Sequence, residues 1–105
     1  MNHKISTMLG FAQKAGKIVS GENGCEAAIK KGETNLIIIS EDASHNTKIK
    51  IKTLCSSYSI RHIEWGWKNH IGQSIGKSPR AVIGVTDKKF AEHIWKLYLS
   101  TIKYK

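Results

Sequence analysis

The chain has 105 residues, 40% of them hydrophobic, and 17 Lys and Arg against 8 Asp and Glu leave a formal net charge of +9. That length suits one domain with one core and is too short for two, and the charge points to a polyanionic partner without choosing between RNA, DNA and anionic lipid. No apolar run approaches the roughly 20 residues that span a bilayer, and Met1-Asn2-His3-Lys4 opens no signal-peptide core, so a cytoplasmic protein with no membrane association is expected.

From Lys4 to Ala15, Ile5, Met8, Leu9, Ala12 and Ala15 recur at helical spacing, and Gly16 stands where a left-handed C-cap belongs. Ile18-Val19 is short and β-branched. The cluster Gly21-Glu22-Asn23-Gly24 ends it and opens a second helix, whose inner face carries Cys25, Ala28 and Ile29 before Gly32 stops it. Leu36 to Ile39 is apolar at every position, as in a strand covered on both faces. Lys48 to Lys52 alternates like a strand, yet Ile51, Leu54, Cys55 and Tyr58 follow helical spacing. The longer pattern predicts a third helix, capped by Ser44 or Asn46, with Ile49 as the misfit.

Arg61 to Trp65 reads as a third strand, and Trp67, Ile71 and Ile75 share one face of a short helix that ends at Gly76 ahead of Pro79. Ala81 to Thr86 is a second fully apolar strand. Asp87 can cap a last helix whose packing face is Phe90, Ala91, Ile94, Trp95 and Tyr98. Strands alternating with helices of this length predict an α/β fold, a three-layer α/β/α sandwich with a mixed four-stranded sheet. Cys25 and Cys55 lack CxxC spacing and are expected to be reduced core residues.

Gly72-Gln73-Ser74-Ile75-Gly76-Lys77-Ser78 imitates a phosphate-binding P-loop but has three residues between its glycines where that loop has four. It also leaves a helix and meets Pro79, whereas a P-loop runs from strand into helix; a helix C-cap followed by a surface loop is the better reading. The histidines His3, His45, His62, His70 and His93 have no ligand spacing, so no metal is expected. No serine sits in a nucleophile-elbow pattern. Glu41-Asp42 could serve acid–base or metal chemistry, but a role at the start of the following helix suits two carboxylates better.

The first helix N–H groups beyond the Gly21 turn have no intrahelical partners and suit a phosphate or a base edge. Lys14 and Lys17 flank the first helix end, Lys30 and Lys31 the second, and Lys77 and Arg80 bracket Pro79. In a sandwich, Lys14, Lys17, Lys77 and Arg80 are expected to approach the Gly21 turn and contact phosphate, whereas Lys48, Lys50, Lys52, Lys103 and Lys105 are expected to be simply solvated.

Lys17, Ser20-Gly21-Glu22-Asn23, the helix closing at Lys31-Gly32, Leu36-Ile37-Ile38-Ile39 with Glu41-Asp42-Ala43, and Ile71-Gly72-Gln73-Ser74-Ile75-Gly76 before a buried strand together resemble the ribosomal protein L7Ae and L30e superfamily, in particular its bacterial YlxQ-type branch. The likeness runs from about Leu9 to about Ala91. It implies a protein that binds kink-turn RNA, an internal loop bent around sheared G·A pairs, whose opened bases side chains can reach. In that family an Asn and a Glu at the start of the second helix read the G·A pairs and a Lys secures the bend. Asn23 holds the Asn position, while Gly24 and Ala27 stand at the Glu and Lys positions. Either Glu22, Glu26 and Lys30 substitute from nearby, or kink-turn affinity is weakened. Lys77-Ser78-Pro79-Arg80 matches the loop that contacts the bulged nucleotides and is more basic than in strong binders.

The resemblance and the charge pattern together nominate Lys14, Lys17, Ser20, Gly21, Glu22, Asn23, Gly24, Lys30, Glu41, Asp42, Lys77, Ser78, Pro79 and Arg80 as RNA-binding residues of a monomer, with no catalytic residue, metal or cofactor. The competing reading is a protein-interaction module of a ribonucleoprotein or transcription assembly, for which exposed Trp65 and Trp67 would form the surface. An RNA-modifying or hydrolytic enzyme has no constellation to support it.

Overall fold

The computed structural model describes residues 3–103, without the side chain of Lys103. Its elements, in order, are α1 (His3–Lys14), β1 (Ile18–Ser20), α2 (Glu22–Lys30), β2 (Leu36–Ile39), α3 (His45–Ser57), β3 (His62–Glu64), α4 (Lys68–Ser74), β4 (Val82–Val85) and α5 (Lys88–Lys103). The four strands form one sheet in the order β1-β4-β2-β3. β2 pairs with β3 in parallel, and β4 pairs antiparallel with both β1 and β2. This is the expected mixed sheet.

Helices cover both faces of the sheet because β2 and β4 are apolar on every residue. Leu36 and Ile38 enter one core with Ile5, Leu9, Ile71, Ile83 and Ile94, under α1, α4 and α5. Ile37 and Ile39 point the other way, to Cys25, Ile29, Ile51, Cys55 and Val82 under α2 and α3. All four β2 side chains are fully buried, and truncating any one to Ala would cost about 2–5 kcal/mol. Both cysteines are unbridged in the second core. Burial pushes the Cys25 thiol up to about 12, with Cys55 adding to the effect, and burial pushes Cys55 up to about 11.

Three helices end as the glycines predict. Gly16, Gly32 and Gly76 have φ of 73°, 70° and 69°, and each following residue bonds back five positions, as Lys17 does to Ala12 at 2.9 Å. Helix α3 closes the same way on Ser59, a non-glycine at φ 56°, with the Ile60 N–H on the Cys55 carbonyl. Ser44 caps α3 by accepting the Thr47 N–H, and the Asp87 carboxylate accepts the Phe90 N–H at the start of α5.

Three expectations need correction. Trp65 is 5% exposed and belongs to the first core, because the chain turns inward after the edge strand β3. Tyr58 is exposed, since α3 ends before it and turns it off the apolar face. Trp67 is the N-cap of α4 and is 60% exposed, so the face it was to share carries Ile71 and Ile75 without it. Ile49 is exposed, as a misfit to the α3 pattern should be. The expectations for Lys105 and the Lys103 side chain lie outside the described residues.

Candidate nucleic-acid interface

Helix α2 begins at one end of the sheet, immediately after β1. Its N-cap, Gly21, has φ 91° and ψ 154°, a conformation essentially reserved for glycine. No side chain caps the helix, and its first turn closes with the Cys25 N–H on the Gly21 carbonyl at 3.0 Å. The N–H groups of Glu22, Asn23 and Gly24 precede that bond, so the helix presents backbone donors and the positive end of its dipole at this edge. Asn23 and Gly24 are exposed beside them.

The loop after α4 is fastened to this turn. Arg80 donates from Nε to the Ser20 hydroxyl at 3.3 Å and from Nη1 to the Ser78 hydroxyl at 2.6 Å. The Gly21 N–H reaches the Val82 carbonyl at 2.9 Å, and the Arg80 N–H reaches the Lys68 carbonyl at 3.1 Å. Gly72 makes room for the loop: a Cβ there would lie 2.3 Å from the Ser78 carbonyl oxygen. The segment that imitates a P-loop is therefore the last turn of α4 with the loop folded back over it. Lys77, Ser78 and Pro79 are exposed on that loop.

Asp42 and Glu41 lie at the same end. The Asp42 carboxylate accepts the Lys68 N–H at 2.9 Å, so its capping role is at the start of α4, while Ser44 serves α3. Slight burial pushes the Asp42 carboxyl up, but the Lys68 N–H leads a set of hydrogen bonds that outweighs it and holds the group below the ordinary aspartate value. The Glu41 backbone is occupied on both sides, its N–H by the Gly66 carbonyl and its carbonyl by the Lys48 ammonium. Lys68, exposed at the start of α4, is a cation of this end that the sequence patterns did not single out.

Glu22 faces away from the exposed edge and into the seam between α2 and α3. It accepts from the Thr47 hydroxyl at 2.7 Å and from the Lys50 ammonium at 3.3 Å. Lys50 also pairs with Glu26 at 3.1 Å, and Glu26 with Lys30 at 3.1 Å. The Thr47 hydroxyl, aided by Lys50, holds the Glu22 carboxyl below its usual value, and the Lys50 and Lys30 ammoniums do the same to Glu26. Lys48 and Lys52 both pair with Glu64. The three lysines of α3 expected to be merely solvated are thus ion-paired, and Glu22 and Glu26 are both engaged with α3.

The cations divide between two ends of the molecule, which corrects their expected convergence. Arg80 meets the Gly21 turn, but Lys17 precedes β1, three residues or about 10 Å from Ser20 along the strand, where its carbonyl accepts the Thr86 N–H at 2.9 Å. Lys14 is in the last turn of α1 beside it. Lys30 closes α2, about 10 Å of helix from Asn23. Among the described residues no group of three or more His, Cys, Asp or Glu side chains could hold a metal ion, and no helix is long and apolar enough to cross a membrane.

Residues 3–94 match the profile of the ribosomal protein L7Ae/L30e/S12e/Gadd45 family. The RNA-binding protein YlxQ of Bacillus subtilis (strain 168) is 37% identical over 90 residues, spanning 86% of this chain and 90% of its own. A Bacillus halodurans protein of unknown function superposes with a TM-score of 0.88 at 35% identity, over 91% of this chain and 97% of that one. The Giardia lamblia 15.5kD RNA binding protein superposes at 0.76 with 17% identity, over 99% and 92%, a likeness of fold alone. With its profile matched across nearly the whole length and its sheet, helix layers and α2 turn in place, the chain belongs to the ribosomal protein L7Ae/L30e/S12e/Gadd45 family.

Proposed function

We propose that this protein binds structured RNA without catalysis, as a monomeric single-domain protein of the cytoplasm, by seating an internal loop of the kink-turn type against the start of α2 and the Ser78–Arg80 loop. The observation that carries this reading is the glycine N-cap of α2, which presents backbone donors at an edge shared with exposed Asn23 and tied by Arg80 to the neighbouring loop. Backbone N–H groups and Arg80 serve the phosphates, and the Asn23 amide, which both donates and accepts, reads a base edge. With Gly24 and Ala27 at two reading positions, and Glu22 and Glu26 held by α3, discrimination rests chiefly on Asn23 and on the bent shape of the RNA. RNA binding is what the name of the Bacillus subtilis relative states.

Mobility shifts with a kink-turn hairpin and a matched plain duplex test this. The hairpin should bind more tightly at moderate salt, and Asn23→Ala should reduce that preference more than Lys77→Ala does, because base contacts specify and phosphate contacts position. A Cβ at Gly24 meets nothing within 4 Å, so Gly24→Glu with Ala27→Lys fits the fold and should strengthen the preference. Equal affinity of the wild type for both RNAs would overturn the kink-turn reading.

Exposed Trp67 beside Lys68 favours a second reading, a protein-binding surface within a ribonucleoprotein. Purification after nuclease treatment that yields a stable protein partner, lost in Trp67→Ala, and no RNA binding would decide for it.

A further inference from the structure

Five exposed lysines, Lys14, Lys17, Lys31, Lys88 and Lys89, gather at the end of the sheet opposite the start of α2. The bond from the Thr86 N–H to the Lys17 carbonyl holds the end of α1 beside the start of α5. The Asn35 N–H binds the Val85 carbonyl at 2.8 Å and its amide binds the Thr86 carbonyl at 3.1 Å, which draws in the loop that follows Lys31. Among the described residues no ion pair joins any of the five to a carboxylate. The same loops carry only Glu33 and Asp87, and the Asp87 carboxylate is engaged with the Phe90 N–H.

The α2 end carries fewer cations, Lys68, Lys77 and Arg80, beside Glu41 and Asp42, while Glu22 is turned into the seam with α3. The far end thus sets five lysines against two carboxylates. Lys88 borders a hollow of about 280 Å³ that Asn35, Arg61 and Glu92 also line. The Arg61 guanidinium is fixed there over the Trp95 ring at 4.3 Å and paired with Glu92 at 3.5 Å. A surface with this excess of lysine over carboxylate attracts a polyanion.

We propose that this end is a second RNA surface, which holds a duplex segment by its phosphates and without reading bases, while the start of α2 holds another segment. Lysine ammoniums are point charges on flexible stems and bind phosphate with no base preference. The two surfaces lie at opposite ends of the strands of a molecule measuring 30 × 29 × 25 Å, and in this proposal each holds its own RNA segment, which the protein bridges. The inference rests on the reading that the partner is RNA, and it does not require the kink-turn specificity of the first site.

The test uses a plain 20-base-pair RNA duplex and a fluorescent kink-turn hairpin, each with the wild type, with the variant Lys17→Gln/Lys88→Gln/Lys89→Gln, and with a charge-matched control, Lys48→Gln/Lys52→Gln/Lys96→Gln. The far-end variant should bind the duplex at least tenfold more weakly than the control, and its plot of log affinity against log salt should be shallower by about 2 to 3. It should still bind the hairpin, but no longer bring labelled duplex and hairpin into one complex as the wild type does. Equal loss of duplex binding in the two variants overturns the proposal. Failure of the hairpin to bind any of the three, with selective loss of duplex binding in the far-end variant, would overturn the α2 reading and leave this one standing.

Discussion

Gly21 is the residue on which the α2 edge depends. At φ 91° and ψ 154° a side chain is strained whatever space surrounds it, and here a Cβ would meet nothing within 4 Å, so the penalty is one of backbone conformation alone. Gly21→Ala should lower stability by about 1–3 kcal/mol in urea titration and weaken RNA binding together with it. Gly21 was legible in the sequence because a glycine between a β-branched pair and a helical pattern has few other uses. Trp65 was not, because nothing in Arg61 to Trp65 says whether the residue after the edge strand continues outward or turns into the core. Its burial depends on the turn at Gly66, at φ 73°, whose carbonyl accepts the Glu41 N–H at 2.7 Å.

At the scale of elements, the seam between α2 and α3 is a polar junction above a sulfur- and isoleucine-lined core. Glu22 and Glu26 are held below the ordinary glutamate value of 4.5, Glu22 chiefly by the Thr47 hydroxyl and Glu26 chiefly by Lys50. Because their folded values are depressed, their contribution is fully present above about pH 4.5 and is lost as the pH falls through the lowered values. The protection of α2 amides against exchange, relative to the intrinsic rate at each pH, should therefore fall between about pH 5 and about pH 3, and Lys50→Met should weaken the part of that dependence that comes from Glu26. The helices themselves were readable from periodicity and caps. This junction was not, since Glu22 and Thr47 lie 25 residues apart and meet only when both helices lie on one face of the sheet.

The packing of α4 makes a second prediction at this scale. Gly72 lies inside the helix, where glycine is normally unfavourable, and its role is the contact with the backbone of Lys77 and Ser78. Gly72→Ala should lower the melting temperature and displace the loop that carries Arg80. Weaker hairpin binding at a temperature where the variant remains folded would register that displacement.

Over the whole molecule the charge is distributed unevenly, with Lys68, Lys77 and Arg80 against Glu41 and Asp42 at the start of α2 and five lysines against Glu33 and Asp87 at the far end. A kink-turn hairpin too short to reach both ends should show a shallow salt dependence, with a slope of about −1 to −2 for one or two phosphate contacts, and an extended RNA a steeper one. Equal slopes for the two would contradict the division.

The amino-acid order alone determined the alternation of helices and strands, the two strands buried on both faces and the glycine turn that opens α2, because each depends on neighbours within a few residues. Tertiary structure decided which charges meet. The antiparallel pairing of β1 with β4 places Ser20 beside Arg80 and Lys17 beside Thr86, at opposite ends of one strand pair. Strand register is a long-range choice made by packing, and it turned one expected cluster of cations into two surfaces.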